Sequence, residues 1–176
     1  MSLVSSLARA ARLVARDAVR ASRREAGRVA ARRPRSRSAA PQQAHAYLGP
    51  LPPPEYAPAA DGAPDPGEVV WAWVPYEDDP SRGKDRPVLI IAEHEGGLLG
   101  LQLTSKDHDK DAAQEARWGR YWVDVGSGGW DAQRRDSEAR VDRVLWLPVA
   151  TVRREGAALD RDRFTEVLAA VRRHRS

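Results

Sequence analysis

The sequence predicts a mainly β fold closed by one C-terminal helix, a small, strongly bent barrel or sandwich confined to the C-terminal part of the chain. Three observations predict it. All six Trp residues lie at or after Trp71, so the large buried area that aromatic side chains supply belongs to the last 110 or so residues. From Gly67 to Pro148, short β-branched and apolar runs alternate with Gly- and Pro-marked turns, and no helix between them is long enough to serve a parallel sheet. Near the end, Phe164, Val167, Leu168 and Val171 are spaced for a single buried helical stripe.

The elements follow in order. Glu68-Val-Val-Trp-Ala-Trp-Val-Pro75 reads as the first strand, with Val69, Trp71 and Trp73 on one face and Val70, Ala72 and Val74 on the other. Tyr76 to Asp85 is polar, carries Pro80 and Gly83, and reads as a loop. Pro87 to Ala92 is apolar on both faces and predicts a central strand. Glu95-Gly96-Gly97 is a tight turn that makes Leu98 to Leu103 the second arm of a hairpin. Ser105 to Arg117 reads as a long charged loop, Tyr121 to Val125 as the fourth strand, and Ala139 to Pro148 as a single fifth strand. Asp160 is placed to cap the terminal helix, since a carboxylate at that position accepts from the first unpaired amides.

Charge divides the 176 residues differently from hydropathy. Residues 1–40 hold 11 of the 29 basic residues, all Arg, against Asp17 and Glu25, a net +9. Residues 41–66 carry −3 and the remainder −2, so the high isoelectric point belongs to the tail and not to the predicted domain. The boundaries drawn are a basic Arg/Ala-rich tail with helical spacing at 1–33, a Pro-rich linker at 34–65, and the β domain at 66–176. The tail reads as a solvated segment, a nucleic-acid-binding arm or a membrane-surface helix, and its sequence leaves these open. With no Cys there is no disulfide scaffold and no thiolate chemistry. No apolar run is long enough to cross a bilayer, and Arg9, Arg12, Arg16 and Arg20 interrupt any signal-like stretch, so the expected compartment is the cytoplasm.

Four segments carry a family likeness. Pro66-Gly-Glu-Val-Val-Trp-Ala-Trp-Val-Pro75, Gly83-Lys-Asp-Arg-Pro-Val-Leu-Ile-Ile91, Leu101-Gln-Leu-Thr-Ser105 and Ser137-Glu-Ala-Arg-Val-Asp-Arg143 resemble, in order, the opening strand, the "RPxLVI" segment, the third-strand ending and the late "S-x-x-R-x-D" stretch of the PemK/MazF toxins. The likeness covers about residues 66–173. It implies an SH3-like barrel, a homodimer, metal-independent cleavage of single-stranded RNA or mRNA with no cofactor, and inhibition by an antitoxin whose tail fills the groove, with DNA contact in the antitoxin complex. It places Arg86 and Thr104 at the catalytic centre, with Ser105 beside Thr104, and Arg140 and Asp142 where some members carry RNA-contacting or catalytic groups. Arg82, Lys84, His108 and Trp73 complete the expected RNA-binding set, and no metal ligands are implied.

The chemistry suits these residue types unequally. Metal-free cleavage uses the substrate's 2′-hydroxyl as nucleophile, so the enzyme must take a proton, stabilise charge on phosphorus and assist the leaving oxygen. Arg86 suits the second task because its planar fork matches phosphate oxygens and keeps its charge, which also makes it a poor base. Thr104 supplies one hydrogen-bond donor. Asp142 or Glu77 is expected as the proton acceptor, and His94 and His108 are placed on the turn and loop beside the site. Each residue also has a plain reading: Arg86 as the partner of Asp78 or Asp79, Thr104 as a β-former, Asp142 as the group that satisfies a turn. An exposed Trp71, Trp73 or Trp118 would offer a stacking face. The acidic loop 76–85 is expected to border the groove and repel phosphate. The rival reading is a catalytically inactive SH3-like barrel that binds protein or nucleic acid.

Overall fold

The computed structural model describes residues 43–59, 61–106 and 112–175. The tail at 1–33, the first part of the linker and His108 lie outside the described residues. Residues 41–176 form one compact unit.

The described elements are β1 (His45–Ala46), β2 (Glu68–Pro75), β3 (Gly83–His94), β4 (Gly97–Thr104), α1 (Ala112–Arg117), β5 (Trp122–Gly126), β6 (Ser137–Arg140), β7 (Leu145–Pro148), β8 (Arg154–Ala158) and α2 (Arg161–His174). Their pairings are antiparallel. The sheet runs β1-β7-β4-β3-β2-β8, with β5 paired to β6 and β6 joined to β4. The expected mainly β fold with a single C-terminal helix is therefore the one formed.

Strand β2 alternates as its sequence requires. Val70, Ala72 and Val74 enter one apolar cluster with Val88, Ile90, Leu98, Leu145 and Leu147. Val69 faces the other cluster, where Leu89, Leu101 and Leu103 meet Phe164, Val167 and Val171 of α2. Burial on both sheet faces explains why β3 and β4 read as continuous apolar runs. Asp160 caps α2 as expected, its side chain accepting from the amides of Asp162 and Arg163.

Four expectations are corrected. The single strand at 139–148 is two, β6 and β7, which bond successive stretches of one edge of β4: Gly97–Gly100 pairs with β7, and Leu103–Thr104 pairs with β6. Between them the chain bends, held where the Val141 amide donates to Tyr121 O at 2.9 Å and the Tyr121 amide donates to Asp142 at 2.8 Å. The loop after β2 ends at Arg82, because Lys84 and Asp85 pair with Val74 and Trp73. The charged segment 105–117 ends in the short helix α1. Two unforeseen strands, β1 and β8, close the edges of the sheet by pairing with β7 and β2.

The described part of the Pro-rich stretch lies against the domain. Tyr47, Leu51 and Tyr56 pack on the core, and the Tyr56 hydroxyl donates to Leu159 O at 2.6 Å. Among the described residues no helix is long and apolar enough to cross a membrane.

Candidate active-site cleft

The β3–β4 ladder ends at Val88 and Gln102. Two residues further along each strand come Arg86 and Thr104, and both line a cleft of about 450 Å³. The loop after β2 (Tyr76, Glu77, Asp78), the face of β5 and β6 (Trp122, Arg140), the bend before β7 (Arg143), and Lys106, Glu115 and Arg120 complete its walls. Five cations thus face three carboxylates, in a domain whose net charge is negative.

Arg140 is buried in the wall and clamped from two sides. Its Nε donates to both Asp142 oxygens at 3.2 and 3.1 Å, its Nη2 to Asp142 Oδ2 at 2.8 Å, and its Nη1 to Glu77 Oε2 at 3.0 Å. Burial opposes the guanidinium charge, but the hydrogen bonds and charges of Asp142 and Glu77 outweigh it and raise the Arg140 pKa. Arg143 donates from both terminal nitrogens to Pro75 O at 3.2 Å. Burial pushes its pKa down; Glu77 counteracts this, while the like charges of Arg140 and Arg86 add to it. Across the cleft, Arg120 approaches Glu77 at 3.9 Å and Glu115 at 3.8 Å, and the Trp122 indole N–H points to Glu115 at 3.5 Å.

Arg86 differs from these. Among the described residues its guanidinium has no ion-pair or hydrogen-bond partner, so the plain reading in which Asp78 or Asp79 neutralises it does not describe this geometry. Asp79 instead closes its own turn, accepting from the Ser81 amide at 3.1 Å. Thr104 Oγ1 accepts from the Lys106 amide at 3.1 Å, which fixes the oxygen and leaves the hydroxyl proton to be donated elsewhere.

The other candidates are distributed differently. Ser105 is exposed and does not line the cleft. Asp142 stands behind Arg140, its oxygens engaged by that guanidinium and the Tyr121 amide. Arg82, with its guanidinium 5.9 Å from the Tyr76 ring centroid, lies in the β2–β3 hairpin with exposed Lys84 and with Trp73, 46% exposed; none of the three lines the cleft. His94 is not beside the site. It lies eight residues along β3 from Arg86, roughly 25 Å at the usual rise, with its ring 3.0 Å from the Tyr47 hydroxyl. Glu77 borders the cleft as the loop reading expects, but it serves as counter-ion to Arg140 and Arg143 rather than as a free repulsive charge. Sequence reasoning missed Arg120, Arg143, Gln102 and Trp122; Gln102 and Arg143 lie inside quoted motifs, close to Thr104 and Asp142, and those positions were the available signal.

The family model of the PemK-like, MazF-like toxins of type II toxin–antitoxin systems matches residues 65–174. Among solved structures the chain is similar to the Mycobacterium tuberculosis toxin MazF-mt6, at 18% identity and a TM-score of 0.42 over 61% of this chain and 94% of that one. It is also similar to an endoribonuclease from a mycobacterial species, at 14% identity and a TM-score of 0.41 over 66% and 94%. No curated protein matches the chain.

Proposed function

The chain belongs to the PemK-like, MazF-like toxins of type II toxin–antitoxin systems, and from that premise we propose that it is the toxin of such a pair, an endoribonuclease that cuts single-stranded RNA without a metal ion. The observation that carries the reading is Arg86, a cation with no counter-ion among the described residues, in a cleft it shares with Thr104. A guanidinium with no counter-ion among the described residues suits an anion, and its fork fits two phosphate oxygens.

In this reading the scissile phosphate lies against Arg86. The substrate's 2′-hydroxyl gives up its proton as its oxygen attacks the adjacent phosphorus, the bond to the 5′-oxygen breaks, and a proton is returned to that oxygen, so that a 2′,3′-cyclic phosphate and a 5′-hydroxyl result. Arg86 holds the charge that accumulates on the phosphoryl oxygens, and the Thr104 hydroxyl donates to one of them. Of the two carboxylates considered as proton acceptors, Glu77 is the one that lines the cleft. Asp142 acts by positioning, holding Arg140 and the β6–β7 bend. Lys106, Arg120 and Arg143 supply the field that draws the RNA backbone in. The same cations suit the acidic tail of a cognate antitoxin. Pairing of two copies as a homodimer, DNA contact in the antitoxin complex and a cytoplasmic setting belong to this proposal.

The test is inducible expression of the full chain in a bacterial host, as wild type and as Arg86→Ala, with growth and primer extension on total RNA as readouts. Growth arrest with discrete new 5′ ends, both abolished by Arg86→Ala, is expected. A well-folded wild-type chain that neither arrests growth nor cuts RNA would overturn the reading in favour of a non-catalytic binding barrel.

A further inference from the structure

From the geometry at the end of α1 we infer a second RNA subsite beside the cleft, in which the Trp118 indole stacks on an unpaired nucleobase adjoining the phosphate held by the cleft cations. The inference rests on the ribonuclease reading and extends it from a phosphate to a base.

Trp118 is 69% exposed, whereas Trp130 and Trp146 are 3% and 6% exposed. Its indole makes no hydrogen bond or ring contact among the described residues. An indole is among the largest apolar surfaces a chain can bury, so one left in water forgoes that gain. Its backbone is nevertheless firmly held. The Trp118 amide donates to Glu115 O at 2.9 Å, the Gly119 amide to Ala116 O at 3.0 Å, and the Arg120 amide to Glu115 O at 3.0 Å. Gly119 takes φ 71° in this turn, a left-handed conformation that glycine adopts without strain and that ends the helix sharply. Trp118 is thereby bracketed by two residues of the cleft wall, Glu115 and Arg120.

The neighbours point to nucleic acid rather than to an apolar protein anchor. Trp118 is flanked by exposed Arg117 and by Gly119 and Arg120, not by other apolar side chains. A flat aromatic face next to cations matches single-stranded RNA, whose bases and phosphates alternate; such stacking tolerates any base because every base has a π face.

The probe is a fluorescently labelled, mixed-sequence single-stranded 2′-O-methyl RNA, which the proposed reaction cannot cut, titrated against the full chain at several salt concentrations. Trp118→Ala is expected to weaken binding roughly ten- to a hundred-fold. The slope of log affinity against log salt should stay unchanged, because stacking releases no counterions. Trp118→Phe should recover most of the loss, and Arg120→Ala should lower the slope instead. Wild-type affinity in Trp118→Ala, or a Phe variant as weak as the Ala variant, overturns the subsite and leaves the indole to a protein contact. A wild-type chain that binds and cuts RNA alongside an unaffected Trp118→Ala sinks the subsite alone; a wild-type chain that does neither sinks the ribonuclease reading and the subsite with it.

Discussion

Arg140 shows how a cation on the cleft wall becomes structural. Its guanidinium donates to Asp142 and Glu77, and Asp142 in turn holds the Tyr121 amide. Truncating Arg140 to Ala would leave Asp142 largely buried without its charge partner, a loss we expect to destabilise the fold by about 3 kcal/mol. It should appear as a lower urea midpoint at unchanged m-value. Thr104 belongs to the opposite class, since no acceptor for its hydroxyl proton lies among the described residues. In the ribonuclease reading, Thr104→Val should lower kcat roughly a hundred-fold with little change in stability, and Thr104→Ser should retain most of the rate in a cleavage assay. A third residue reports through pH. The hydrogen bond from Arg135, against the opposing effect of burial and with the help of the Gln133 and Arg135 amides, lowers the Asp131 pKa from 3.8 to about 2. Because the folded pKa is the lower one, this stabilisation is fully present above pH 3.8 and is lost as pH falls towards 2. Thermal melts from pH 6 to pH 2 should therefore show a shallower acid decline in Asp131→Asn than in the wild type, and parallel declines would refute the assignment.

At the scale of elements, β4 carries the architecture, because β3 occupies one of its edges while β7 and β6 share the other. Gly100 lies within that crowding. A Cβ there would fall 2.5 Å from Val88 Cγ1 and 3.1 Å from Leu89 O, so Gly100→Ala should cost on the order of 1–3 kcal/mol in equilibrium unfolding. The legible elements were those whose pattern is local. The Val/Trp alternation of β2, the Glu95-Gly96-Gly97 hairpin and the Asp160-capped stripe of α2 each state their structure within a dozen residues. The run from Ala139 to Pro148 looks like one strand because its apolar content is continuous; the break comes from Asp142 reaching Tyr121, 21 residues away in sequence. Strand β8, Arg-Glu-Gly-Ala-Ala, has no β-branched residue and is a strand because β2 offers it an edge. The site divides along the same line. Arg86 and Thr104 stand in recognisable motifs, whereas the use of Glu77 as counter-ion to Arg140 depends on a contact across 63 residues that no local pattern announces.

At the scale of the molecule, the Pro-rich stretch before the family match acts as a strap on the domain. The match begins at residue 65, yet the compact unit begins at Pro41. Glu68 is buried, and its two oxygens accept from the Ala59 amide at 3.0 Å and the Asp65 amide at 3.0 Å. Tyr56 packs against Phe164 of α2 with ring centroids 5.2 Å apart, and β1 covers the free edge of β7. Arg175, just beyond α2, reaches back to donate to Tyr47 O and Gly49 O, tying the last turn of the chain to the strap. A chain starting at residue 66 would strip two amides from a buried carboxylate, uncover the β7 edge and remove an aromatic packed on the core. A buried acceptor deprived of two donors and a truncated aromatic each cost on the order of 1–5 kcal/mol. We therefore expect residues 66–176 to unfold at a lower urea concentration than residues 41–176, by about 3 kcal/mol or more. The β7 edge left open by the shorter form would also favour self-association, visible as concentration-dependent aggregation by light scattering. Equal midpoints for the two forms would show that the strap merely rests on the domain; a large gap would make it part of the fold, outside the span that the family model matches.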